Sequence, residues 1–205
     1  MVSSPVGVIV LLRGLAREQG HWGGFAETLR RSLGGARIRA LDLAGNGSEH
    51  ATRSPASVEA LMADCRARLY AAGEEAPCRL VGLSLGAMVA TAWMDAHPVE
   101  VTAAVLINTS LRPFSPFWRR MQPAGGCRLL GTLVQRPEQA ERSILALTSR
   151  APQNHAAELE QWIALRRARP VSSPNALRQL VAAVVSGRAA RGWEPGSLVS
   201  CPAND

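Results

Sequence analysis

Short apolar runs alternate along the chain with segments in which apolar residues recur at helical spacing. Val6 to Leu12 (VGVIVLL) is a continuous, β-branched run closed by Arg13-Gly14, the form taken by a strand buried on both faces of a parallel sheet. Trp22, Phe25, Leu29 and Leu33 then keep a helical period that Gly34-Gly35 terminates. A shorter strand is expected over Ala36 to Leu43, ending in the turn Ala44-Gly45-Asn46-Gly47. Pro55 and Ser57 open a helix with apolar positions Val58, Leu61, Met62, Cys65 and Leu69, running as far as Gly73. Cys78 to Leu83 reads as a strand, Ser84 to His97 as a helix and Val101 to Asn108 as another strand. Strand and helix in alternation predict an α/β protein with a mostly parallel sheet covered by helices on both faces.

The alternation breaks after residue 111. Several helical patterns follow, punctuated by Pro113, Pro116, Pro123, Pro137, Pro152, Pro170 and Pro174, and they predict a helical cap inserted after the fourth strand. The expected organisation is a core over 1–111, a cap or lid over 112–190, and the start of the remaining core over 191–205. Leu198 to Pro202 looks like the approach to a further strand, and the chain is expected to stop at Asp205 before that strand can form, leaving the last strands missing.

With 205 residues and 47% hydrophobic content, the chain can bury a substantial core. A net charge of +7 would ordinarily suggest nucleic acid or an anionic surface as partner. That inference is weak here, because all 23 basic residues are arginine and none is lysine, a bias that suits GC-rich codon usage. No nucleic-acid partner is expected, and the charges are expected to be solvated. Cys65, Cys78, Cys127 and Cys201 are widely spaced and form no C-x-x-C pair, so no zinc or redox motif is indicated and a reducing compartment is the default. The first apolar run is too short for a membrane span and lacks the flanks of a secretory signal. A cytoplasmic location is the expectation.

Gly82-Leu83-Ser84-Leu85-Gly86 satisfies G-x-S-x-G between an apolar strand and a helix, the context the motif requires. A tight strand-to-helix turn at serine strains the backbone and needs small residues on either side of it. It presents the hydroxyl above the carboxyl edge of the sheet and at a helix N-terminus, where amides and dipole favour an anion. The plainer alternative is a serine N-cap after a glycine turn. A tetrahedral oxyanion needs two donors, and the amides of Leu85 and of Leu15, in the loop Arg13-Gly14-Leu15, are the matching positions. That loop also reads as an ordinary turn built on Gly14.

Residues 6 to about 111 resemble the α/β-hydrolase family, in particular small carboxylesterases of the pimeloyl-ester esterase type. The resemblance rests on Arg13-Gly14-Leu15 after the first strand, on Asp42-Leu43-Ala44-Gly45-Asn46-Gly47 as the D-x-x-G-x-G turn, and on the Ser84 elbow. It implies acyl transfer to Ser84 from a small-molecule ester or thioester, a helical lid, and neither metal nor cofactor. Arg13 stands where the family usually has histidine, and Asn46 where it has histidine or phenylalanine. Both changes are expected to alter loop packing.

A serine nucleophile needs a base, normally histidine oriented by a carboxylate, with acid and histidine following it in this fold. His97 closes the helix that Ser84 opens, roughly 20 Å away at 1.5 Å per residue, and cannot be that base. His155 reads as an exposed helix start, while His21 and His50 precede the nucleophile, with His21 near the oxyanion loop. Thr109, Ser110 and Leu111 offer no acid after the fourth strand, and Asp205 comes too soon after Pro202. The expectation is that the chain ends before both partners. In the cap, Phe114, Phe117, Trp118, Leu159, Trp162 and Leu165 could line an acyl pocket or glue cap to core, and the spacing favours glue. Arg166, Arg167 and Arg169 could meet an acidic substrate, although a solvated helix end is the simpler reading. Three function classes follow: an ester or thioester hydrolase, a non-catalytic fragment or pseudoenzyme, and an acyltransferase.

Overall fold

The computed structural model describes residues 7–107, 131–132, 135–185 and 198–201, the last four by their backbone. Five strands, β1 (Ile9–Leu12), β2 (Ile38–Leu41), β3 (Cys78–Leu83), β4 (Val101–Ile107) and β5 (Leu198–Cys201), form one sheet in the order β2-β1-β3-β4-β5. Every pairing is parallel. The helices are α1 (Phe25–Ser32), α2 (Val58–Ala71), α3 (Leu85–Ala96), α4 (Pro137–Thr148), α5 (Ala156–Ala168) and α6 (Ser173–Val185).

β1 shows why the apolar run is continuous. Side chains alternate across a strand, so Val8, Val10 and Leu12 enter the larger core with α2 and α3, while Ile9 and Leu11 join Trp22, Ala36 and Val81 on the other face. Helix α2 buries all five expected apolar positions, and Ser57 caps it by accepting from the Ala60 amide. Burying a leucine fully contributes roughly 1.5–3 kcal/mol, and Leu61, Leu69 and Leu80 are all sealed.

Two expectations are corrected. The helix after β1 is a 3-10 turn (Gln19–Trp22) followed by a shorter α1 with no buried residue, and Phe25 and Leu33 stand exposed. The glycine stop is real, since Gly34 and Gly35 adopt φ of 64° and 84°. At the other end a fifth strand does form: Leu198, Val199, Ser200 and Cys201 pair with Ala104 to Ile107 of β4. An exposed row of β4 peptide groups accepts any extended segment that reaches it, and the four residues of β5 suffice.

Register places the chemistry. Leu12 pairs with Leu41 and Gly82, Leu83 pairs with Ile107, and Ile107 pairs with Cys201. The loops leaving β1, β2 and β3 therefore emerge together at the carboxyl edge, where open parallel sheets place ligands.

Candidate active site

Ser84 leaves β3 with φ 56° and ψ −117° and is the N-cap of α3. Its amide donates to Ile107 O at 2.9 Å, and its carbonyl accepts from Ala87 N and Met88 N. The flanking glycines are enforced by contact. A Cβ on Gly82 would lie 2.6 Å from Ala87 Cα and Gly86 O, and one on Gly86 would lie 2.6 Å from Arg13 O and collide with Leu12 O. The same crowding seats the β1 loop against the serine, because a Cβ on Gly14 would approach Ser84 Cβ to 3.1 Å and Ser84 Oγ to 3.5 Å. Leu15 and Leu85 thus flank Ser84 at one edge. The Leu85 amide opens α3 and has no intrahelical acceptor. No described residue accepts a hydrogen bond from the Leu15 amide.

The next residue of that loop is held from the far side of the chain. Ala16, at φ 51°, donates its amide to Gln179 Oε1 at 3.0 Å, and Arg17 N closes the turn on Gly14 O. Gln179, fully buried on α6, donates to Ala44 O and to Asn46 Oδ1 at 2.8 Å. Asn46 Nδ2 in turn donates to Arg17 O. One helical turn earlier, Asn175 donates to Thr52 O and accepts from Ser54 N. Asn46 therefore ties the two loops together through a buried network with Gln179 of α6. Asp42 accepts from Gln19 N, Ser48 N and Ser48 Oγ. Gly47, at φ 50°, leaves room for that carboxylate and for Glu18 Cβ, which a Cβ there would approach to 2.7 Å. The D-x-x-G-x-G turn is thereby explained as a carboxylate-centred loop.

Charges crowd this edge. Glu141, 1% exposed, holds Arg17 at 2.5 Å and Arg166 at 3.0 Å, while Glu18 pairs with Arg169 at 2.7 Å. Arg167 pairs with Glu138. The reading of 166–169 as a solvated helix end is corrected for Arg166 and Arg169: Arg166 pairs with Glu141, which also holds Arg17, and Arg169 pairs with Glu18 in the segment after β1. Trp162 and Leu165 act as glue: Arg17 lies over the Trp162 ring, and a Cβ on Gly20 would meet both Leu165 methyl groups at 2.8 Å. Phe114, Phe117, Trp118 and Cys127 lie outside the described residues.

None of the histidines is placed as a partner of the serine. His97 is the C-cap of α3, 3.7 Å from Glu100, and His155 precedes α5, 3.9 Å from Glu158. His50 Nδ1 lies 2.9 Å from Gly47 O. His21 is buried, with Nδ1 3.1 Å from Glu18 N and 3.3 Å from Glu18 O. Burial, with Arg17 and Arg13 nearby, pushes its pKa down to about 3. Among the described residues, no histidine or carboxylate hydrogen bonds to Ser84 Oγ. Thr109, Ser110, Leu111 and Asp205 lie outside them. Burial likewise raises the Cys65 and Cys78 thiols, to about 12 and about 11, so neither is a nucleophile at neutral pH.

A parallel sheet with a strained serine at the β3–α3 turn defines an α/β-hydrolase. The chain belongs to the family described as serine aminopeptidase, S33, whose sequence model matches residues 3–186. It is a hydrolase lineage. Among solved structures it is similar to a thermophilic esterase from Thermogutta terrifontis, at 18% identity and TM-score 0.67, covering 95% of this chain and 71% of that one. A carboxylesterase structure from Nitrososphaera gargenis matches at 18% identity and TM-score 0.66, covering 89% and 65%. A candidate non-heme bromoperoxidase, BpoC, from Mycobacterium tuberculosis matches at 24% identity and TM-score 0.63, covering 90% and 67%. The chain spans about two thirds of the length of such proteins. No curated protein matches it significantly in sequence. Among the described residues, no helix is long and apolar enough to cross a membrane.

Proposed function

We propose that the chain is a serine hydrolase of carboxylic esters or thioesters, acting in the cytoplasm, in which Ser84 Oγ attacks the acyl carbonyl. The observation that carries this reading is the left-handed backbone at Ser84, held by glycines at 82 and 86 that leave no room for a side chain, with Gly14 packed closely against it. Attack forms the Oγ–C bond and places negative charge on the carbonyl oxygen, which the Leu15 and Leu85 amides would receive. The helices of residues 112–190 would form the lid. The leaving alcohol or thiol takes a proton, and water then releases the acid.

The hydroxyl proton needs an acceptor, and no described histidine hydrogen bonds to Ser84. That observation favours a second reading, in which the elbow is retained without turnover. A fluorophosphonate probe with mass-spectrometric site mapping tests the first. Labelling at Ser84, abolished in Ser84→Ala, is the expected result; no Ser84-dependent labelling overturns it and leaves the non-catalytic reading. Labelling without hydrolysis of a small aryl ester identifies a poised serine with no base. Acyl transfer to an added alcohol in place of water would identify an acyltransferase.

A further inference from the structure

Arg13 carries a charge that the described residues leave unanswered. Its guanidinium sits over the Trp22 ring, 4.9 Å from the centroid, and its Nε is buried with no hydrogen-bond partner. Among the described residues, no carboxylate pairs with it. The other arginines at this edge are matched: Arg17 and Arg166 to Glu141, Arg169 to Glu18. Burial, followed by repulsion from Arg17, lowers the Arg13 pKa to about 10, so the group is a cation at neutral pH. A desolvated, unpaired cation is costly unless an anion arrives to match it.

Position supplies the function. Arg13 is the last residue before Gly14, the glycine packed against Ser84. Side-chain alternation continues from Ile9 and Leu11, sending Arg13 to the Trp22 side of the sheet. We infer that Arg13 is a specificity-determining residue that receives a carboxylate on the substrate, so that the preferred esters or thioesters are acidic ones. This rests on the Ser84 reading above, since it makes the anion part of the molecule attacked there. The planar guanidinium fork suits a carboxylate, and the Trp22 ring fixes its plane.

Equilibrium binding tests this without requiring turnover. Monomethyl succinate and dimethyl succinate are titrated into the protein at constant ionic strength, followed by tryptophan fluorescence, with wild type, Arg13→Gln and Arg13→Lys compared. The half-ester should bind roughly tenfold or more tightly than the diester. That preference should vanish in Arg13→Gln and persist in part in Arg13→Lys. In 15N-arginine-labelled wild type, an Nε–H resonance absent from Arg13→Lys should shift with the half-ester and not with the diester, a measurement that holds even if Arg13→Gln fails to fold. Equal affinity for the two ligands, a preference that survives Arg13→Gln, or an unmoved Nε–H resonance overturns the inference. Loss of fluorophosphonate labelling with the half-ester preference intact would sink the Ser84 reading alone and leave Arg13 as a carboxylate site.

Discussion

Ser84 holds a backbone conformation, φ 56° and ψ −117°, that costs a residue with a Cβ about 1–3 kcal/mol. That cost is recoverable. Ser84→Gly should be more stable than Ser84→Ala by about 1 kcal/mol in urea unfolding, while both lose any Ser84-dependent labelling. Equal stabilities would mean that the surroundings have relaxed the turn. The turn was legible in the sequence because steric demands act on near neighbours: only glycine fits at 82 and 86, and both stand within two positions of the serine. Arg13 was legible as a departure from the family pattern. Its lack of a partner was not, since the absence of a carboxylate nearby is a property of the folded edge.

At the scale of elements, α2 was read correctly down to its buried positions, because its period and its Ser57 cap are both local. The period expected through Trp22, Phe25, Leu29 and Leu33 overstated its helix, because spacing cannot tell which side of a short helix meets the sheet. Nothing local marks α6 as the element that holds the β1 loop. Gln179 and Asn175 lie one turn apart in a helix, and their partners are more than a hundred residues earlier in the chain. Gln179→Ala would leave the half-buried Ala16 amide, the Ala44 carbonyl and Asn46 without this partner. It should cost about 2–3 kcal/mol. Denaturant unfolding measures this, and a double-mutant cycle with Asn46→Ala should show coupling between the two side chains. Additive losses would show that the network does not act as a unit.

For the whole molecule, buried titratable groups predict acid lability. His21 is neutral in the folded state with its pKa pushed down to about 3, against 6.5 in the unfolded chain. The unfolded chain therefore takes up the proton first, and stability falls as pH drops below about 6.5. Glu100 adds a second window. It accepts from Arg66 and Trp93 Nε1, and chiefly the Arg66 hydrogen bond holds its pKa at about 2 instead of 4.5. Its stabilisation is full above 4.5 and is lost toward 2. Urea midpoints should show a loss of about 2 kcal/mol between pH 7.5 and pH 5 in the wild type. His21→Gln should largely remove that slope; an unchanged slope would assign it to other groups.

The sequence by itself determined the parallel α/β layering, the β3–turn–α3 elbow and the loops that surround it, because side-chain period and glycine sterics act over a few residues. Only the tertiary structure decided that Leu198–Cys201 completes a fifth strand, that Glu141, Asn175 and Gln179 tie the late helices to the β1 loop, and that His21 is sealed as a neutral ring. These depend on which distant groups meet once the sheet has brought its loops to one edge. Burial and charge pairing at that edge belong to no short stretch of the chain.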